Sequence, residues 1–136
     1  IDNAKMIEVC ATKLPQMVIP KVMSDERYTP YRKGLNEKIG RRSSIISAIL
    51  RDIPQLKFNP TYGAFYNTIC FNEGVLKPGQ KLKIENKAIR DLVEEWVSEP
   101  GIPLDKRFVY YLLGATGICV VPISSFCSDL QGFRVT

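Results

Sequence analysis

Residues 104–136, LDKRFVYYLLGATGICVVPISSFCSDLQGFRVT, decide the fold class. Phe108, Tyr111, Leu112 and Ala115 fall at steps of three and four, the spacing of one face of a helix. Gly117 follows the periodic run, where a helix usually ends in a left-handed residue. Ile118–Val121 is a short continuous apolar run, which predicts a buried strand. Residues 122–131 read as a polar loop, and Phe133–Thr136 open a last strand. Helix, strand, loop and strand in immediate succession belong to an α/β domain.

Working outward, Ile89, Leu92, Val93, Trp96 and Val97 form a second helical stripe, with Asn86 as its predicted N-cap. Residues 74–86 form a Gly/Pro/Lys-rich loop. Leu56, Phe58 and Ala64–Phe71 are β-rich, with Tyr62-Gly63 as the turn between two strands. A long amphipathic helix is predicted from Thr29-Pro30 to about Ile53, closed by Pro54. Residues 16–23 fit either a short helix with Pro20 in its first turn or an extended connector. Residues 2–13 have helical spacing, and Leu14-Pro15 is expected to end that run. The expected fold is a small two-layer α/β domain, a mixed sheet packed by helices.

The chain has 136 residues, 45% apolar and 24% charged, the balance of one soluble globular domain. No apolar run reaches the ~18 residues of a membrane span, and no basic-then-apolar start suggests a signal peptide. The absence of His excludes Ser–His and Cys–His nucleophile pairs and imidazole-based zinc sites within this chain. Cys10, Cys70, Cys119 and Cys127 are 60, 49 and 8 residues apart, with no Cys-x-x-Cys pair. They read as buried, unpaired thiols of a reducing compartment, hence a cytoplasmic protein. The net charge is +5, and residues 1–42 carry nine Lys/Arg against five Asp/Glu. The basic cluster of Arg32, Lys33, Lys38, Arg41 and Arg42 is interrupted by Glu37 and reads as a solvated helix face rather than a nucleic-acid surface. Starting at Ile1 and ending straight after a strand, the chain reads as a piece of a longer protein.

Dinucleotide, Walker, nucleophile-elbow and acidic metal-loop patterns are absent. Glu94 and Glu95 fall on the polar side of their helix. Arg134, within Gly132-Phe133-Arg134-Val135-Thr136, is flanked by strand formers. The plain reading of such a residue is an exposed or salt-bridged arginine. Facing inward, it would offer a two-pronged fork to a carboxylate.

Two segments carry a family resemblance that favours the second reading. Asn59-Pro60-Thr61-Tyr62-Gly63-Ala64-Phe65-Tyr66 is similar to a hairpin strand of the class I/II pyridoxal-phosphate-dependent aminotransferases. Thr116-Gly117-Ile118-Cys119-Val120-Val121-Pro122, with Arg134 twelve residues on, resembles that family's final strand, loop and strand, most nearly the alanine-aminotransferase-like branch. The resemblance covers the whole chain and implies the C-terminal small domain, residues 1–136, of an enzyme exchanging an amino group between an amino acid and a 2-oxo acid. It implies that Arg134 pairs with the substrate α-carboxylate, that the domain closes over the site, and that the intact enzyme is a homodimer. It also implies that pyridoxal phosphate and its lysine lie in a large domain upstream, so no catalytic, cofactor-binding or metal-binding residue is expected here and the fragment alone should be inactive. Ile123, Ser125 and Cys127 stand around Phe126 where the family usually has glycine. A lyase or decarboxylase using the same cofactor, or a stand-alone basic α/β binding module, is the alternative.

Overall fold

The computed structural model describes residues 12–136. The helix expected over residues 2–13 and Cys10 therefore fall almost wholly outside the described residues. The chain forms two compact units, one ending at Gly40 and one running from Arg41 to Thr136.

The first unit contains α1, Lys13–Ser24, and the start of α2, Tyr28–Arg51. Pro15 does not end a helix but lies in the first turn of α1. Amides there have no intrahelical acceptor, so the missing N–H costs nothing. Pro20 is interior rather than in the first turn, and α1 buries none of its residues. Leu14, Met17, Ile19 and Met23 are all more than half exposed. Between the helices, Asp25 accepts the Arg27 guanidinium at 2.7 Å, which holds its carboxyl below the usual value. Arg32, Lys33, Lys38, Arg41 and Arg42 are exposed along α2, in line with a solvated helix face.

The second unit is the α/β layer pair. Its strands are β1, Leu56–Phe58; β2, Asn67–Phe71; β3, Val121–Pro122; and β4, Gly132–Val135. Its helices are α3, Lys87–Val97, and α4, Leu104–Thr116, and a 3₁₀ turn, Ile123–Phe126, links β3 to β4. The sheet order is β1-β2-β4-β3, and every neighbouring pair is antiparallel. The two-layer α/β architecture is as expected, but the sheet is antiparallel rather than mixed. The helical crossover from β2 to β3 does return the chain in the same direction. It skips one position, however, and β4 fills the gap, so the two co-directional strands never touch.

Asn86 caps α3 by accepting the Ile89 N–H at 3.2 Å. Val93 and Val97 pack with Ile84 and Tyr111 of α4 in one apolar cluster. Glu94 faces outward and pairs with Lys81 at 2.9 Å. Gly117 ends α4 in the left-handed conformation, φ 75°. Phe108 of α4 meets Phe71 and Phe133 of the sheet at ring separations of 4.9 and 5.6 Å, which ties the helix layer to one sheet face.

Two predicted strands are shorter than expected. Ala64–Tyr66 is not strand, because Ala64 adopts φ 57° and bends the chain before β2. Of Ile118–Val121, only Val121 joins the sheet, with Pro122 beside it. Pro122 lacks a ladder N–H and is tolerated because β3 is an edge strand. The described cysteines are unpaired, but Cys70 is half-buried and Cys119 and Cys127 are exposed, not buried as expected. The latter two lie on the loop-like approach to β3 and on the linker between β3 and β4, outside the apolar layer contact.

Candidate functional site

Side chains alternate across a strand, so Arg134 lies on the opposite face from Phe133 and hence away from α4. Its cross-strand partners are Thr68 on β2 and Val121 on β3, both exposed. α4 lies against the other face and leaves this row open. An open depression of about 770 Å³ borders it at Thr68 and continues along Lys57, Pro60, Thr61 and Cys70.

Two aromatic rings hold the Arg134 guanidinium. Its central carbon lies 4.4 Å from the Tyr66 ring centre and 4.3 Å from that of Phe126. Both distances are well inside the range of cation–π attraction. Tyr66 ends the segment Asn59–Tyr66, and Phe126 ends the 3₁₀ turn, so the two segments singled out in the sequence converge on one cation. Each ring is delivered by a bend that contains a left-handed residue other than glycine. Ala64, φ 57°, lies two residues before Tyr66, and Cys127, φ 56°, directly follows Phe126. These two are the only such residues among those described, and backbone strain of this kind tends to gather at functional sites. The first bend is anchored at its base: Thr61 donates its hydroxyl hydrogen bond to Asn67 Oδ1 at 2.8 Å, and Ser43 Oγ sits 3.1 Å from Thr61 Oγ1.

Arg134 is half-buried, and among the described residues it has no carboxylate partner and its N–H groups meet no acceptor. The rings engage the cation through their π faces and leave the donors free. A planar carboxylate reaching the guanidinium edge can therefore form two parallel charge-assisted hydrogen bonds.

Sequence reasoning singled out Arg134 alone. Tyr66 and Phe126 were part of the quoted motifs without a role, and only the three-dimensional meeting of the two bends gives them one. Among the described residues no group of three His, Cys, Asp or Glu side chains could hold a metal ion, and no helix is long and apolar enough to cross a membrane. Every described lysine is exposed except Lys106, which is half-buried with its ammonium 5.9 Å from the Tyr110 ring centre.

The unit thus defined is a small two-layer α/β fold presenting a ring-held arginine on its open sheet face. Over all 136 of its residues the chain is 44% identical to an uncharacterized aminotransferase of Methanocaldococcus jannaschii. Over 128 residues, 88% of the chain, it is 27% identical to a probable mitochondrial alanine aminotransferase of Dictyostelium discoideum. Both relatives bear out the resemblance to aminotransferases read from the sequence. The chain spans 31% and 21% of their respective lengths. No family model matches the chain, and no solved structure matches it.

Proposed function

We propose that this chain is the C-terminal small domain of a pyridoxal-phosphate-dependent aminotransferase, and that Arg134 is its clamp for the substrate α-carboxylate. The observation that carries the reading is the half-buried Arg134 guanidinium, held by Tyr66 and Phe126 and left with unpaired donors. An arginine meant only for stability would be expected to pair with an acceptor of its own fold.

In this reading the parent exchanges an amino group between an amino acid and a 2-oxo acid. Every such substrate carries an α-carboxylate, so one fork serves both half-reactions. The domain closes over the site as Arg134 engages the carboxylate, and closure excludes water. The cofactor is held elsewhere in a cytoplasmic, homodimeric parent. The apolar surface of α1 then packs against the remaining length of that protein.

The test uses the intact parent with a panel of amino donors that differ in side chain. Arg134→Ala should lower kcat/KM by a similar factor for every donor, while cofactor absorbance persists. Normal turnover across the panel would remove Arg134 from the clamp role. A loss confined to one donor would assign it to side-chain selection instead.

A further inference from the structure

Asp105 is the only carboxylate among the described residues that the fold buries completely, at 0% exposure. It occupies the first turn of α4, yet it forms no cap for its own helix. It has no cationic partner among the described residues. Instead its oxygens accept from a different part of the chain. Oδ1 accepts the Ser124 hydroxyl at 2.7 Å, and Oδ2 accepts the Ser124 backbone N–H at 2.9 Å. Oδ2 also receives the Gly132 N–H at a longer 3.5 Å. The backbone N–H of Asp105 in turn donates to Gln131 Oε1 at 3.0 Å.

Burying a carboxylate is costly unless its hydrogen bonds are made, and an acid serving only the helix dipole would do so from solvent. The placement of these bonds is the informative feature. Ser124 belongs to the turn that delivers Phe126, and Gly132 begins the strand that carries Arg134. One buried anion therefore fixes both segments to α4.

We propose that Asp105 is a positioning residue that acts through Ser124 to hold Phe126 and Arg134 in register. Its effect on turnover rests on the clamp reading, but its effect on the geometry does not. Asp105→Ala takes the acceptor from three donors, the Ser124 hydroxyl and the Ser124 and Gly132 N–H groups. Ser124→Ala removes only the hydroxyl link and leaves the buried carboxylate and the backbone bond in place. Asp105→Asn can still accept the Ser124 N–H and can donate its amide to Ser124 Oγ, so it should restore much of the geometry.

The experiment measures phenylglyoxal modification of individual arginines in the intact parent by peptide mass spectrometry. Arg107, which donates to the Val97 carbonyl at 2.7 Å, serves as internal reference. In Ser124→Ala the modification rate at Arg134, read well below the lowered melting temperature, should rise about threefold or more with Arg107 unchanged. Asp105→Ala should raise it further, and Asp105→Asn should bring it back towards the parent value. KM for every amino donor should rise in the same order, by about tenfold for Ser124→Ala. An Arg134 rate unchanged in Ser124→Ala and in a folded Asp105→Ala would overturn the proposal, even if Arg134→Ala abolishes turnover. Raised Arg134 reactivity with normal KM would uphold the positioning role and overturn the clamp reading instead.

Discussion

The two ends of β4 treat charge in opposite ways. At its entry, by Gly132, the Asp105 carboxylate is wholly enclosed and both oxygens are engaged by Ser124 and Gly132. Two residues further on, Arg134 is half-buried and flanked by rings, with its N–H donors unmet among the described residues. Neither charge has an ion-pair partner there, yet only one is satisfied. A buried polar group that the fold completes is a structural joint, and a half-buried one that it leaves incomplete is a place for a ligand. The difference separates what holds the site from what the site is for.

The largest expected effect lies at the incomplete end. Removing one partner of a desolvated charge pair costs ~2–5 kcal/mol, so Arg134→Ala should lower kcat/KM of the parent by roughly 30- to 5,000-fold. Arg134→Lys should recover only part of this, because an ammonium lacks the planar fork. Steady-state kinetics on several donors checks both, and full recovery by lysine would mean that the geometry of the fork is irrelevant.

Next is the packed end. A Cβ at Gly132 would meet the Ile69 carbonyl oxygen, Ile123 Cδ1 at 2.6 Å and Cys70 Cα at 2.9 Å. Two of these neighbours are backbone and cannot swing aside. Gly132→Ala should therefore destabilise the protein by ~1–3 kcal/mol, as overpacking does, measured by denaturant titration. A neutral Gly132→Ala would show that β4 can move away from β2, and the contrast between its two ends would lose its structural basis.

Smaller again is the effect of the rings. Each cation–π contact at a partly desolvated site is worth about 0.5–2 kcal/mol. Tyr66→Leu and Phe126→Leu should each raise KM by roughly 2- to 30-fold with smaller changes in kcat. Leucine keeps apolar bulk, so the loss reports the ring face rather than a cavity.

The fold was readable where periodicity is long and punctuated. The α3 stripe with its Asn86 cap and the α4 face ending at Gly117 follow from residue spacing alone. Sheet topology was not, because nothing local to β4 says that it inserts between β2 and β3 rather than extending an edge. Arg134 was legible through its motif. Tyr66, Phe126 and Asp105 were not, since their roles depend on residues 8 to 68 positions away in sequence meeting in space. Ile123, which departs from the family's glycine, is explained by packing: it is 6% exposed and its Cδ1 fills the space that Gly132 leaves empty.

Cys127, a second departure from glycine, gives the smallest and most pointed test. It holds φ 56° and ψ 40°, a left-handed conformation that costs an L-residue roughly 1 kcal/mol and glycine almost nothing. Its side chain is exposed, so little packing is lost on removing it. Glycine also makes the unfolded chain more flexible, which opposes the gain. Cys127→Gly should thus stabilise the protein by no more than about 1 kcal/mol, whereas the β-branched Cys127→Val should destabilise it. Ala64 bears the same strain before Tyr66, and its glycine variant should act in the same direction. Stability and function should then diverge: the double glycine variant melts higher, but the freed bends let Tyr66 and Phe126 drift from Arg134, and KM for all donors rises. A double variant that is both more stable and unchanged in KM would mean that the left-handed residues are incidental to the site. A rise in KM would mean that the strain on both sides of the guanidinium keeps its open end aimed.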